Sequence, residues 1–477
     1  MPFIHICDVW LSSFSDPSRL HDVKSPCPAI TMRRGFLINK ESRRTKGPNA
    51  PTEHTSPPIT AARRPPPTIP IPTRLILLAG MEDSPDAINQ AIRGKAVTLS
   101  LGLFDIADVN GGLHTITTGL FTTENEQPPH LRSWKPFNCS RRYEIRDTKR
   151  AGKSMFSLDV HEPGDVIICE PPLVITSIAL MTGSGGDSLM PESTVRARTF
   201  ATMPPKTRRL FFALHRGPHA AQSPETAITK TNAFRINRIP GCIGPCSGIF
   251  NDISRINHSC MPNAMYYWIP ESLTGEVRAL RRIAPGEEIT ISYLELSASY
   301  EERREDLRER YGFACTCTSC SLPLEERFVD DSIREETGLF AGVDVHVSSA
   351  NALRITKSVL CFARRVKHAG LSDIPVIWER IAATLVATAC TLGDRARAVQ
   401  WALVAAHAAR IQIRSDAGWE AVAAAPEKTE LWMTGHRDEH ADDAVADKRM
   451  VWKGPQFFSS RGTPHDVNLL SSYGQRS

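Results

Sequence analysis

The stretch Arg255-Ile256-Asn257-His258-Ser259-Cys260-Met261-Pro262-Asn263 decides the reading of this chain. Alone, an Asn-His pair ordinarily marks a turn or a cap, because a short amide side chain bonds its own neighbouring backbone. Three features downstream change its meaning. Gly286-Glu287-Glu288-Ile289-Thr290-Ile291-Ser292-Tyr293 carries a predicted strand to a tyrosine, and Tyr311-Gly312-Phe313 follows a charged helix. The run Cys315-Thr316-Cys317-Thr318-Ser319-Cys320 closes the series. It offers three thiolates, one short of the tetrahedral shell that zinc takes.

Outward from this stretch the chain alternates short strands and turns. Val166-Ile167-Ile168-Cys169-Glu170 reads as a strand entered through Glu162-Pro163-Gly164-Asp165 and stopped by Pro171-Pro172. Ala264 to Ile269, Val277 to Leu280 and Glu288 to Tyr293 read as strands, with Pro285-Gly286 as the turn before the last. Between Pro204 and His215, Leu210, Phe211 and Leu214 recur at helical spacing. From Tyr300 to Tyr311 the charges Glu301, Glu302, Arg303, Arg304, Glu305 and Asp306 mark an exposed helix with opposite signs three or four apart. Beyond Cys320 the character turns helical. Ala350 to His368, Ile374 to Leu392 and Arg395 to Ile413 are alanine-rich and amphipathic, separated by Gly370 and Gly393-Asp394.

The two ends read differently. Nine prolines between Gly47 and Thr73 favour an extended polyproline-type chain that supplies no core. Residues 96–121 are weakly apolar and show no clear period. Polarity returns after Pro426. With 477 residues and 41% hydrophobic content, the chain is long enough for two or three domains. A net charge of +5 makes no whole-chain electrostatic case for nucleic acid. Asp8 and Asp16 interrupt the apolar start, so no signal peptide is expected, and Leu75-Ile76-Leu77-Leu78-Ala79-Gly80 is far too short to span a bilayer. Twelve cysteines, dense only at 315–320, suit a reducing compartment with most thiols free.

Taken in order, Asn257-His258-Ser259-Cys260, the Gly286 to Tyr293 segment, Tyr311-Gly312-Phe313 and Cys315, Cys317 and Cys320 resemble the signature of SET-domain protein lysine methyltransferases. The split domain and helical C-terminus look most like the SET-MYND branch and its fungal-type relatives that lack the MYND finger. The resemblance implies an α+β fold, a β-rich SET core with knot-like threading, a helical insert, a post-SET zinc loop and a C-terminal α-helical domain. It implies S-adenosyl-L-methionine and zinc as cofactors. Tyr293 takes the place of the active-site tyrosine, while Gly152, Lys153, Asn232, Asn257, His258, Tyr293, Tyr311 and Phe313 fall on the methyl donor. Cys260 completes zinc with Cys315, Cys317 and Cys320. Tyr266 and Tyr267 are weaker candidates for lining the lysine channel. Cys242 and Cys246 have ligand-pair spacing but no partner pair nearby.

One position departs from the family. Its glycine-rich turn is matched by Arg150-Ala151-Gly152-Lys153-Ser154-Met155-Phe156, where Ser154 stands at the second glycine. Serine tolerates positive φ and close ligand approach less well than glycine. The expectation is therefore a protein-lysine N-methyltransferase, transferring methyl to the lysine ε-amine of a histone or other protein. A catalytically inactive SET-fold scaffold is the alternative. The expected organisation is a disordered Pro/Arg-rich region at 1–126 and a SET domain at 143–296 with its insert at about 180–232. A post-SET segment at 297–321, a helical domain at 322–418 and a disordered tail at 426–477 follow. A protein substrate, a monomeric state, no membrane or direct nucleic-acid binding, and a nuclear or cytoplasmic location complete the expectation.

Overall fold

In the computed structural model the described residues are 97–123, 137–138, 140–149, 151–177, 192–219, 221–236, 239, 242, 246–342 and 347–434. They begin with a hairpin of β1 (Val97–Ala107) and β2 (Leu113–Thr123), with Val97 opposite Thr123. The disorder expected over 1–126 is therefore corrected for 97–123, and the rest of that region lies outside the described residues. The hairpin turns because the Asp108 carboxylate accepts from the N–H groups of Asn110 and Gly112, each at 2.8 Å. Its second strand buries Ile116, Thr117, Thr118 and Leu120, and β-branched residues suit such a pleated surface. Helix α1 (Glu192–Ala201) lies directly on Gly119, where a Cβ would stand 1.8 Å from Thr199 Oγ1. Glycine is required there for the helix to approach.

The remaining strands are β3 (Tyr143–Thr148), β4 (Gly152–Ser157), β5 (Val166–Glu170), β6 (Val174–Ser177), β7 (Phe234–Ile236) and β8 (Cys246–Ile249). They are followed by β9 (Asn257–His258), β10 (Ala264–Ile269), β11 (Thr274–Ala279) and β12 (Thr290–Ile291). One sheet runs β1-β2-β6-β8-β7, a second runs β10-β11-β5, and β3-β4 and β9-β12 form pairs. Between β6 and β7 lie α1, α2 (Pro205–Phe212) and α3 (Pro224–Asn232). Phe200, Phe211 and Ile228 from these helices pack on Val174 and Ile249.

Helix α4 (Tyr300–Asp306) opens with a capping box in which Ser299 and Glu302 satisfy each other's backbone N–H. Its charges do not all face water, as the sequence pattern suggests: Arg303 is 1% exposed. Five helices follow: α5 (Leu324–Gly342), α6 (Ser349–His368), α7 (Pro375–Thr391), α8 (Arg395–Ile413) and α9 (Trp419–Ala424). Trp378, Ile381, Val386 and Trp419 fill their core, and Ala382, Ala402 and Ala405 let α7 and α8 lie close together. Met265, Tyr267 and Leu280 join the same core from the β10–β11 region. Arg278 of β11 stacks over Tyr267 at 4.6 Å and donates to the Gln412 carbonyl at 2.5 Å, which ties the sheet to the end of α8.

The expected tail at 426–477 is corrected over its first residues. Leu431 is buried in the helical core, and Met433 N–H donates to the Cys390 carbonyl at 2.8 Å. So short an anchored segment leaves no periodic trace. Residues 435–477 lie outside the described residues. Among the described residues, no helix is long and apolar enough to cross a membrane.

His161 carries a pH prediction. It is fully buried, and among the described residues neither ring nitrogen makes a hydrogen bond of full geometry. Burial, and next the charge of Arg142, lowers its pKa, while the Arg142 backbone and then Asp165 and Asp159 pull the other way. The unfolded ring binds a proton near pH ~6.5 and the folded ring resists it. This site's contribution is therefore intact above pH ~6.5 and is lost as pH falls below it, by at most about 2 kcal/mol at pH ~5. Denaturant titrations of wild type and His161→Leu should diverge on going from pH 5 to 7. A constant difference between the two would refute this account.

Candidate functional site

The decisive stretch is held in place from three sides. Strand β9 pairs in parallel with β12, Thr290 beside Asn257 and Ile291 beside His258. The Asn263 side chain accepts from Thr290 N–H at 2.8 Å and donates to the Glu288 carbonyl at 2.8 Å, so it clamps one strand to the other. On the entering side, the Glu170 carboxylate accepts from the N–H groups of Asn251, Asp252 and Ile253 at 2.9–3.0 Å. Burial, and next the charge of Asp252, pushes its pKa up to about 7 against the pull of those N–H groups. The turn fixed in this way, Ile253–Arg255, delivers Asn257.

Tyr293 sits where β12 ends. Its N–H donates to His258 Nδ1 at 3.0 Å, and its hydroxyl donates to the Ile256 carbonyl at 2.6 Å. Burial raises the phenol well above its ordinary pKa, with Tyr311 and Glu288 adding to the effect, so the protonated form is favoured. Its proton is committed to Ile256, which leaves oxygen lone pairs to accept from an incoming group. The rings of His258, Tyr311 and Phe313 lie 5.3, 4.8 and 6.5 Å from its own. Tyr311 and Phe313 reach this place because Gly312, at φ +78, reverses the chain after α4. Such a set of rings suits a flat heterocycle.

The other predicted positions divide. Gly152 adopts φ +66, and a Cβ there would meet nothing within 4 Å, so its turn leaves backbone open to a ligand. Ser154 follows in β4 without positive φ, so the expected strain of a serine at the second glycine does not arise. The Asn257 amide donates to Ser154 Oγ at 2.6 Å and to Glu288 Oε1 at 2.9 Å. Both its N–H groups are then used, and only its carbonyl oxygen remains to receive a ligand's N–H. Lys153 pairs with Asp147 at 3.1 Å. Asn232 ends α3, where its amide donates to the carbonyls of His215 and Ile228 at 2.6 and 2.7 Å. Among the described residues no bond joins it to Asn257. The sequence motifs include Asn263 and Glu288 without giving them a role, and Glu170 appears in the sequence only as the end of a strand.

The cysteines converge. The sulfurs of Cys260, Cys315, Cys317 and Cys320 all lie within 4.8 Å of one another, with Cys260 3.4 Å from Cys320 and 4.0 Å from Cys315. A tetrahedral zinc with Zn–S of ~2.3 Å needs sulfurs about 3.8 Å apart, so the donor set fits that ion. Behind the cluster, Asp330 of α5 accepts from Arg334 at 2.8 Å and from Ser319 at 2.8 Å, with Arg303 at 3.4 Å. Arg334 also donates to the Cys260 carbonyl at 3.3 Å. The first C-terminal helix is thus bonded to the loop that carries the cysteines.

A SET domain family description matches residues 152–294. The chain is 40% identical over 97 residues to the histone-lysine N-methyltransferase set5 of Schizosaccharomyces pombe, covering 20% of this chain and 28% of that one. It is 33% identical over 128 residues to N-lysine methyltransferase SMYD2 of Bos taurus, covering 26% of this chain and 27% of that one. The chain carries a SET domain related to the SET-MYND lysine methyltransferases. It spans less than a third of the length of these curated relatives. A solved structure, the SET domain of LSMT bound to lysine and AdoHcy, aligns with 65% of this chain and 93% of its own at 12% identity. Its TM-score of 0.24 leaves it without weight here. The SET domain includes Gly152, Ser154, Asn257, His258, Cys260 and Tyr293, whereas Tyr311, Phe313 and the other three cysteines follow its matched end.

Proposed function

We propose that this chain is an S-adenosyl-L-methionine-dependent protein-lysine N-methyltransferase, acting on a histone or another lysine-bearing protein. The observation that carries this reading is the meeting of Tyr293 with His258, Asn257, Tyr311 and Phe313 at the joined ends of β9 and β12. In this reading the β9–β12 region has the knot-like threading of the family, residues 297–321 form the post-SET zinc loop, and the helices beyond form a C-terminal domain. The protein works as a monomer in the nucleus or cytoplasm, without binding nucleic acid or membrane.

S-adenosyl-L-methionine, when bound, supplies an electrophilic methyl on a positively charged sulfur. The chain's own residues do the rest. The Asn257 carbonyl oxygen would accept from the donor's amino group, Gly152 would offer open backbone, and Tyr311 and Phe313 would flank the heterocycle. A substrate lysine must give up a proton, which at pH 7 costs roughly 4.6 kcal/mol from a pKa near ~10.4. Burial among Tyr293, Tyr311 and Phe313 lowers that cost, because a desolvated site disfavours the ammonium. Tyr293 keeps its own proton, so the lysine proton leaves to solvent as the side chain enters. The Tyr293 oxygen then accepts an amine N–H and turns the nitrogen lone pair toward the methyl. This is catalysis by position and preorganised dipoles. Zinc, when bound to Cys260, Cys315, Cys317 and Cys320, would hold the loop carrying Phe313 against Cys260 and hence against the donor site.

Calorimetric titration of S-adenosyl-L-methionine into the zinc-replete protein tests this reading. Micromolar binding is expected, and Asn257→Ala should weaken it by at least about tenfold, the equivalent of one buried hydrogen bond lost. A folded, zinc-replete protein that binds no donor would end the enzyme reading.

A further inference from the structure

The serine at position 154 sits where the family has a glycine, and its surroundings show what the hydroxyl does. Ser154 is 1% exposed. Its oxygen lies 2.6 Å from Asn257 Nδ2 and 3.3 Å from Thr148 Oγ1. Thr148 Oγ1 in turn donates to the Gly152 carbonyl at 3.0 Å and accepts from Ala151 N–H at 3.2 Å. A hydroxyl has one proton to give, so these distances allow one direction of bonding. Asn257 donates to Ser154, Ser154 to Thr148, and Thr148 to the carbonyl of Gly152. The chain of bonds runs from the Asn-His strand, across the β3–β4 hairpin, to the open turn.

We infer that Ser154 is a positioning residue for the methyl donor: its hydroxyl fixes the rotation of the Asn257 amide and couples it to the Gly152 turn. The inference rests on the proposed function. With one amide N–H on Ser154 and the other on Glu288 Oε1, the Asn257 side chain is held at both donors and its carbonyl oxygen keeps one direction. Glycine at 154 would remove the acceptor and leave a partly buried N–H without its bond, so the amide could rotate or draw in water. It would also break the chain to Thr148. Serine costs nothing in return, because the backbone at 154 is extended and not of positive φ. The departure from the family thus replaces a bare backbone with a side-chain staple, and the family's own residue should be the worse one in this chain.

The test is calorimetry with S-adenosyl-L-methionine on the full zinc-replete chain. The variants are Ser154→Gly, Ser154→Ala, Asn257→Ala and the double variant Ser154→Ala/Asn257→Ala, with thermal midpoints recorded for each. Both single Ser154 variants should bind about tenfold more weakly. The double variant should bind no more weakly than Asn257→Ala alone, because the hydroxyl acts only through that amide. A loss from general loosening would instead add to the Asn257→Ala loss. Donor binding by Ser154→Gly as tight as wild type, or additive losses in the double variant, overturns the inference and leaves the proposed function standing. Absence of binding by wild type ends both.

Discussion

Cys317→Ser, or prolonged dialysis against a strong zinc chelator, should open the loop at 313–318 and strongly weaken donor binding while most of the fold survives. The four sulfurs lie within 4.8 Å of one another, an arrangement that thiolates alone would resist through charge repulsion. A bound ion would supply the cohesion, on the order of 10–16 kcal/mol in comparable metal-binding peptides. Little else secures residues 313–318: their side chains contribute none of the hydrophobic cores, and Thr316 and Thr318 are exposed or nearly so. The sheets and helices, by contrast, own separate apolar cores built from Ile167, Val277 and Ile291 on one side and Trp378, Ile381 and Trp419 on the other. Hydrogen exchange should show amides of 313–318 losing protection, with those of β10, β11 and α7 unchanged. Donor affinity should fall by more than about 100-fold, since Phe313 leaves together with the Cys260 tether. Protection of 313–318 retained in fully metal-free protein would show that the loop needs no ion.

How much of this was legible in the residues depended on the kind of signal each carried. Strands at Val166–Glu170 and Ala264–Ile269 stand where a proline-bounded apolar run and a β-branched and aromatic run put them. The helix Arg395–Ile413 begins on the Asp394 cap, whose carboxylate accepts from Arg397 N–H at 3.0 Å. The hairpin at 97–123 was hidden because four glycines dilute its alternation, and Gly119 is there for a helix remote in sequence. Arg303 was misread because charge in a sequence says nothing of burial, and the carboxylate that justifies it, Asp330, lies far along the chain in α5. The family motifs pointed to Asn257, His258 and Tyr293, but not to the side chains that hold them. Glu170, Asn263 and Glu288 act through contacts between segments, and a pattern within one segment cannot encode those. Ser154 shows the opposite error: judged against a family pattern it looks like a defect, and judged by its bonds it has a partner.

Tyr293→Phe should lower kcat by on the order of 10²–10³ while leaving donor binding nearly intact, which separates its role from that of Asn257. In the proposed mechanism the phenol oxygen accepts from a lysine amine, and its position is set twice, by His258 Nδ1 on its backbone and by the Ile256 carbonyl on its hydroxyl. Phenylalanine keeps the ring contacts with Tyr311 and His258 but presents no acceptor, so the amine enters without a fixed lone-pair direction. Stability should fall by only about 1 kcal/mol, the net worth of one hydrogen bond. The variant therefore tests chemistry rather than folding. Because burial holds the Tyr293 proton above its ordinary range, the pH–rate profile of the wild type should show no descending limb from this residue near pH ~10. Single-turnover methyl transfer from labelled donor to a lysine-rich acceptor protein measures the effect. A variant that transfers methyl as fast as wild type, at equal donor occupancy, would remove Tyr293 from the reaction and with it the proposed mechanism.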